Sequence, residues 1–145
     1  MKKTFRKTLS ANDVGSTGAH QAGILVPKTD VELMTFLPHL DQGIKNPDAW
    51  IKCLDEGGNI RKFRYIYYNN KLHDPKGTRN EYRITHMTNY LKEMGAREGD
   101  FLEISISQGE QFYNIQVLRQ ETIIAKNEDE EGFRIKITSS WRRVH

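Results

Sequence analysis

Phe101-Leu102-Glu103-Ile104-Ser105-Ile106 and Gln111-Phe112-Tyr113-Asn114-Ile115-Gln116-Val117-Leu118 decide how this chain folds. In both runs apolar and polar side chains alternate, the period of a strand with one buried face, and Gly109 between them supplies a turn. A lone hairpin cannot bury its apolar face, so more strands must close around it. Trp50 to Leu54 and Ile60 to Tyr68 are the next candidates, joined by the turn residues Gly57-Gly58-Asn59. In the longer of these, Phe63, Tyr65 and Tyr67 share one face while Arg64, Ile66 and Tyr68 share the other. Gly23 to Val26 reads as a short buried strand closed by Pro27, and Arg79 to Thr85 as a further strand. Phe133-Arg134-Ile135-Lys136-Ile137 alternates apolar with basic as a last strand, and the first eight residues read as a basic arm or edge strand.

Helical signals are few. Thr29 with Glu32 forms a capping box, and Val31, Met34 and Leu37 recur at helical spacing, so a short helix is expected from about Asp30 until Pro38. Thr88 to Met94 is a second, with Thr88 as N-cap and Gly95 as stop. Asn69 to Thr78 reads as loop. Seven or so short strands with two short helices describe a mainly β (α+β) chain that closes into a small, open β-barrel. A parallel sheet is excluded, because its crossovers need longer helices. The 145 residues contain no internal repeat and are expected to form one domain spanning residues 1–145.

The formal net charge of +3 hides an uneven distribution. Glu128-Asp129-Glu130-Glu131 concentrates acid near one end. Between Arg61 and Arg83, the bases Arg61, Lys62, Arg64, Lys71, Lys76, Arg79 and Arg83 face only Asp74 and Glu81. A clustered positive field suits an anionic partner such as nucleic acid, and it equally suits a small domain kept soluble by Lys and Arg. The longest apolar run, Ala22 to Val26 with Gly23 included, is far short of the roughly 20 residues of a membrane helix. The N-terminus is basic but lacks the apolar core of a secretory signal, so a cytoplasmic location without membrane contact is expected.

Catalytic constellations are scarce. Asp48, Asp74 and Lys76 match the Pro-Asp…Asp-x-Lys pattern of Mg-dependent nucleases, but Pro75 and Gly77 break the strand on which such a pair normally sits. Cys53 lies within an expected strand as a small buried hydrophobe. The histidines show no metal-ligand spacing, and Gly15-x-x-Gly18 lacks the context of a phosphate loop. No catalytic residue, metal site or cofactor is expected. Lys76-Gly77-Thr78-Arg79-Asn80-Glu81-Tyr82-Arg83 is richer. Arg bonds bidentately to guanine, Asn to adenine, and Glu accepts from cytosine N4–H. The same spacing also allows an Arg79–Glu81–Arg83 ion-pair ladder on one strand face. Tyr65, Tyr67 and Tyr68 could alternatively serve as stacking platforms for a single strand, or simply pack the hairpin.

Two long blocks then add a family resemblance. The run from Leu9 to Gly23, Leu-Ser-Ala-Asn-Asp-Val-Gly-Ser-Thr-Gly-Ala-His-Gln-Ala-Gly, together with Ile66-Tyr67-Tyr68-Asn69 and Thr78-Arg79-Asn80-Glu81-Tyr82-Arg83-Ile84-Thr85, closely resembles the N-terminal DNA-binding effector domain of EcoRII-type restriction endonucleases. The run from Tyr90 to Ile104 is similar to the helix–Gly-Asp–strand segment of plant B-three transcription-factor domains. The resemblance implies a seven-stranded DNA-binding pseudobarrel that grips the major groove of double-stranded DNA with two recognition arms. It places Ser10, Asn12, Asp13, Thr17, His20 and Gln21 in the N-arm. Lys76, Thr78, Arg79, Asn80, Glu81, Tyr82 and Arg83 fall in the C-arm. It also implies sequence-specific binding of a CCWGG-like, G·C-containing site within a restriction-modification system. Gly77 stands where the family has a lysine, with Lys76 one residue earlier, and Tyr82 stands where a lysine is common. Because the chain ends at His145, the expectation is a non-catalytic recognition module with a fused or separate nuclease domain, or a free-standing DNA-binding regulator.

Overall fold

The computed structural model describes residues 2–15, 23–120 and 141–144. Eight strands and three short helices run in the order β1 (Lys2–Thr8), β2 (Ile24–Val26), α1 (Val31–Phe36), β3 (Asp48–Leu54), β4 (Ile60–Tyr68), α2 (Asn70–His73), β5 (Glu81–Thr85), α3 (Thr88–Glu93), β6 (Phe101–Ser107), β7 (Tyr113–Leu118) and β8 (Trp141–Arg143). They form one sheet in the order β2-β5-β4-β3-β7-β6-β1-β8, antiparallel except where β3 meets β7. Its two edges come together. Trp141 on β8 donates its indole N–H to the carbonyl of Leu25 on β2 at 3.0 Å, so the sheet curls into a nearly closed barrel. Closure of this kind hides the edges that would otherwise invite pairing with another chain.

The alternating runs from the sequence form the barrel wall. β6 and β7 pair from Phe101↔Leu118 to Ser105↔Asn114, and all of β3 pairs with β4 from Asp48↔Ile66 to Leu54↔Ile60. Phe63, Tyr65 and Tyr67 point inward with Phe5, Leu33, Phe36, Ile84, Leu91, Leu102 and Ile104 to form the core. Phe36 plugs this core from α1, its ring 4.7 Å from Phe5 and 5.2 Å from Tyr113. Cys53 is fully buried among them, and burial pushes its thiol up to about 12, so it packs as a small hydrophobe.

Several expectations are corrected. The barrel has eight described strands and three helices, not seven and two, because β8 is too short to show an alternation and α2 is a single turn inside the expected 69–78 loop. β1 is not an edge strand, since it lies between β6 and β8. The cap of α1 is Asp30, whose carboxylate accepts from the Leu33 N–H at 3.1 Å, so Thr29 is displaced by a better acceptor one residue on. Thr88 is already inside α3, and Met87 occupies the cap without a side-chain bond, after a turn that places His86 at φ 68°. Gly95 ends α3 in the left-handed region as expected. The strand expected over 133–137 and the acidic run 128–131 lie outside the described residues.

At the β3–β4 turn, Asp55 organises the end of the barrel opposite the 69–80 loop. Its Oδ1 accepts from the Gly57 and Asn59 N–H groups at 2.9 Å each, and its Oδ2 from Arg61 Nε at 2.8 Å. The Arg61 bond is the main reason the carboxyl is held below its ordinary range, against burial. Asp55→Ala removes all three hydrogen bonds and is expected to cost about 2 kcal/mol or more in urea unfolding at neutral pH. A depressed folded pKa means the contribution is complete above roughly pH 4 and disappears as pH falls through the folded value, so the cost should shrink in acid.

Candidate nucleic-acid interface

The segment between β4 and β5 is built on two adjacent asparagines. Asn69 is fully buried. Its Oδ1 accepts from the Asn46 N–H at 2.7 Å, its own N–H reaches Asn46 Oδ1 at 3.2 Å, and its Nδ2 donates to the Ile44 carbonyl at 2.8 Å. Asn70 Oδ1 accepts from the Arg79 N–H at 2.7 Å, while Arg79's carbonyl accepts from the Lys71 N–H at 3.0 Å. α2 is thereby clipped to the strand-proximal end of its own loop. Gly77 is required in this fold, because a Cβ there would lie 2.1 Å from the Asn70 carbonyl oxygen. The glycine that stands in the place of a lysine thus has a packing cause, and Lys76, its exposed neighbour, makes no ion pair among the described residues.

On this support the Arg79–Glu81–Arg83 ladder is present. Arg79 donates from Nε and Nη2 to Glu81 Oε1 at 2.9 and 2.8 Å, and Arg83 Nη2 donates to Glu81 Oε2 at 3.0 Å. The Arg79 guanidinium also lies 3.7 Å from the centre of the Tyr68 ring, a cation–π contact that fixes its plane. Burial pushes the Glu81 carboxyl up, but hydrogen bonds from Arg79 and Arg83 outweigh it and hold the group below the usual carboxylate range. Glu81 is therefore ionised at neutral pH. Arg83 points elsewhere with its other amine: Nη1 reaches the Gly23 carbonyl at 2.9 Å, where the chain leaves the 16–22 stretch.

Tyr82 packs under the second arm. It is only 5% exposed and stacks on Tyr67 at 4.0 Å with the rings nearly parallel, so it supports the arm from beneath. Tyr67 in turn donates its hydroxyl to Asn80 Oδ1, and Lys28 Nζ donates to the Asn80 carbonyl at 3.3 Å. Tyr65 and Tyr67 are buried and Arg79 lies over one face of the half-buried Tyr68, so these rings pack the hairpin.

In the first arm, Ser10, Asn12 and Asp13 are described, while Thr17, His20 and Gln21 lie outside the described residues. Asp13 turns inward. Its Oδ2 accepts from Lys7 Nζ at 2.5 Å and from the Ser10 N–H at 3.0 Å, and Ser10 Oγ accepts from the Asp13 N–H at 3.1 Å. With both side chains of the ion pair more than nine-tenths buried, Asp13 anchors the root of the arm. Ser10, Asn12 and Asp13 face Arg83, Leu25 and Trp141 across a cleft of about 330 Å³, which brings the root of the first arm beside the ladder of the second.

The carboxylates of the matched nuclease pattern are both engaged in ion pairs. Asp48 pairs with Arg64 at 2.6 Å and Asp74 with Lys45 at 2.6 Å, and no group of three or more His, Cys, Asp or Glu among the described residues could hold a metal ion. No helix among them is long and apolar enough to cross a membrane.

A family model described as restriction endonuclease EcoRII, N-terminal, matches residues 2–111, a span that contains both arms and the barrel up to β6. The chain belongs to the EcoRII N-terminal family. The type II restriction enzyme EcoRII of Escherichia coli is 39% identical over 84 residues, which cover 56% of this chain but 20% of that enzyme. The chain therefore spans about a fifth of the length of that relative. Among solved structures, the Arabidopsis FUS3-DNA complex matches with a TM-score of 0.59 over 79% of this chain and 94% of the other, at 22% identity. That likeness confirms the pseudobarrel fold shared with the plant domain.

The sequence missed Asn69, Asn70, Lys7 and Lys28 as parts of the site. Lys7 is indistinguishable by sequence from its basic neighbours, and only burial separates it from them. The doubled asparagine directly after a strand was the one local hint of a clipped loop.

Proposed function

We propose that this chain is a sequence-specific double-stranded DNA-binding module, the target-recognition or effector part of a type II restriction endonuclease, with no catalysis of its own. It reads a G·C-containing, CCWGG-like site through two arms in the major groove. The observation that carries the reading is Glu81 held between two arginines on an exposed arm of an EcoRII-family barrel. A carboxylate repels phosphate, so a binder of backbone alone gains nothing from it. A C·G pair, by contrast, offers guanine O6 and N7 to a guanidinium and cytosine N4–H to a carboxylate. Arg79 spends two of its N–H groups on Glu81 and keeps the rest of its fork for guanine. Arg83, tied to Glu81 and Gly23, couples this reader to the first arm, where Ser10, Asn12, Thr17, His20 and Gln21 supply further contacts. Lys76, Thr78 and Asn80 flank the reader on the second arm.

Selection from random duplexes tests this directly. It should return a short G·C-containing site, bound with a log K against log[salt] slope near −5 if about six phosphates are met. Plasmid carrying that site should remain uncut with Mg²⁺. Recovery of unrelated sequences, or cutting by the pure protein, overturns the reading.

A further inference from the structure

The strand register continues the ladder onto a surface that neither arm uses. On the outer face of β5, β4 and β3, Glu81 lies opposite Tyr68 and Arg83 opposite Ile66. Thr85 lies opposite Arg64, which in turn faces Trp50, and Lys62 faces Lys52. Every second residue of a strand shares a face, so Arg64, Lys62 and Lys52 stand on the same side as the ladder. At about 3.3 Å per residue, the strip reaches roughly 20 Å from Tyr68 to Lys62, past the end of a five-base-pair site.

The charges on this strip are unbalanced. Its two carboxylates are spent, Glu81 on Arg79 and Arg83, and Asp48 on Arg64. Lys52 and Lys62 are exposed, directly opposed across the strand pair, and without an ion pair among the described residues. Two like charges in a cross-strand pair cost stability unless an anion shares them. Beside them Trp50 is 53% exposed, its ring 4.9 Å from that of His86. A gently twisted sheet face bearing point-charge lysines can lie along a phosphate chain.

We infer that the outer face of β3 and β4, through Lys52, Lys62 and Arg64 with Trp50 at its margin, binds the phosphodiester backbone of the same duplex beyond the base pairs read by the arms. This rests on the DNA-binding reading above. Two duplexes separate the claims, one of about ten base pairs centred on the selected site and one longer by about one helical turn on each side. Wild-type protein should bind the longer one more tightly, with a salt slope steeper by about 1.8 for two further phosphates. That advantage should fall about tenfold between roughly 50 and 200 mM salt. The double variant Lys52→Ala/Lys62→Ala should lose the advantage and the extra slope while binding the short duplex as wild type does. Trp50 emission should gain protection from iodide on the long duplex only, because Trp141 is already buried with its N–H engaged. A double variant that keeps the long-duplex advantage overturns the inference and leaves the arms' role standing. Wild-type protein that binds neither duplex overturns the DNA-binding reading and the inference with it.

Discussion

Arg79→Ala is expected to weaken binding to the selected site by roughly 1–3 kcal/mol while changing affinity for random duplex far less. The size follows from what the side chain holds in the free protein. Its fork is oriented by Glu81 on one edge and by the Tyr68 ring on one face, and its backbone is pinned at both N–H and carbonyl by α2. A guanidinium already fixed in one plane loses little freedom when it meets guanine, so most of the bidentate bond appears as affinity. Arg79→Lys should lose nearly as much, because a point charge reproduces neither the fork nor the stacking. The pair itself is about one-third exposed, where ion pairs contribute at most about 1 kcal/mol to stability, so both variants should stay folded. Competition binding against site and random duplex measures the difference. Equal loss on both makes Arg79 a phosphate contact and removes base reading from the ladder.

What the residues alone revealed follows the range of the interactions involved. The β6–β7 and β3–β4 hairpins were legible because alternation is local and Gly109 and Gly58 adopt the positive φ that tight turns require. The ladder was legible for the same reason: Arg79, Glu81 and Arg83 share a face by spacing alone. Three features depend on tertiary packing and left no trace in the local pattern. β1 looks like an edge until Trp141, more than a hundred residues later, brings β8 beside it and reaches Leu25 across the seam. Tyr82 looks like an arm residue until Tyr67 and Tyr65 cover its ring. Asp13 looks like an arm contact until Lys7 is found beneath it. In each case burial, set by packing and not by the local pattern, fixes where the side chain sits.

Asp13 therefore carries the sharpest stability forecast. Removing one partner of a buried ion pair strands the other charge, at a cost of about 3–5 kcal/mol. Asp13→Ala leaves the Lys7 ammonium, 5% exposed as a residue, with only the Thr8 carbonyl among its described acceptors. It also removes the acceptor for the Ser10 N–H, so the root of the first arm loses its turn together with its anchor. Urea midpoints should fall accordingly. Lys7→Met/Asp13→Ala should recover much of the loss, because the methionine replaces the lysine stem with apolar volume and no charge remains to be stranded. DNA binding separates anchor from contact. If Asp13 positions the arm, the double variant regains stability but not full site affinity, since the Ser10 turn stays unlatched, and its salt slope matches wild type. If Asp13 instead touched cytosine, Asp13→Ala would lose discrimination at one base pair with its urea midpoint unchanged, and the inward role assigned to it would be wrong.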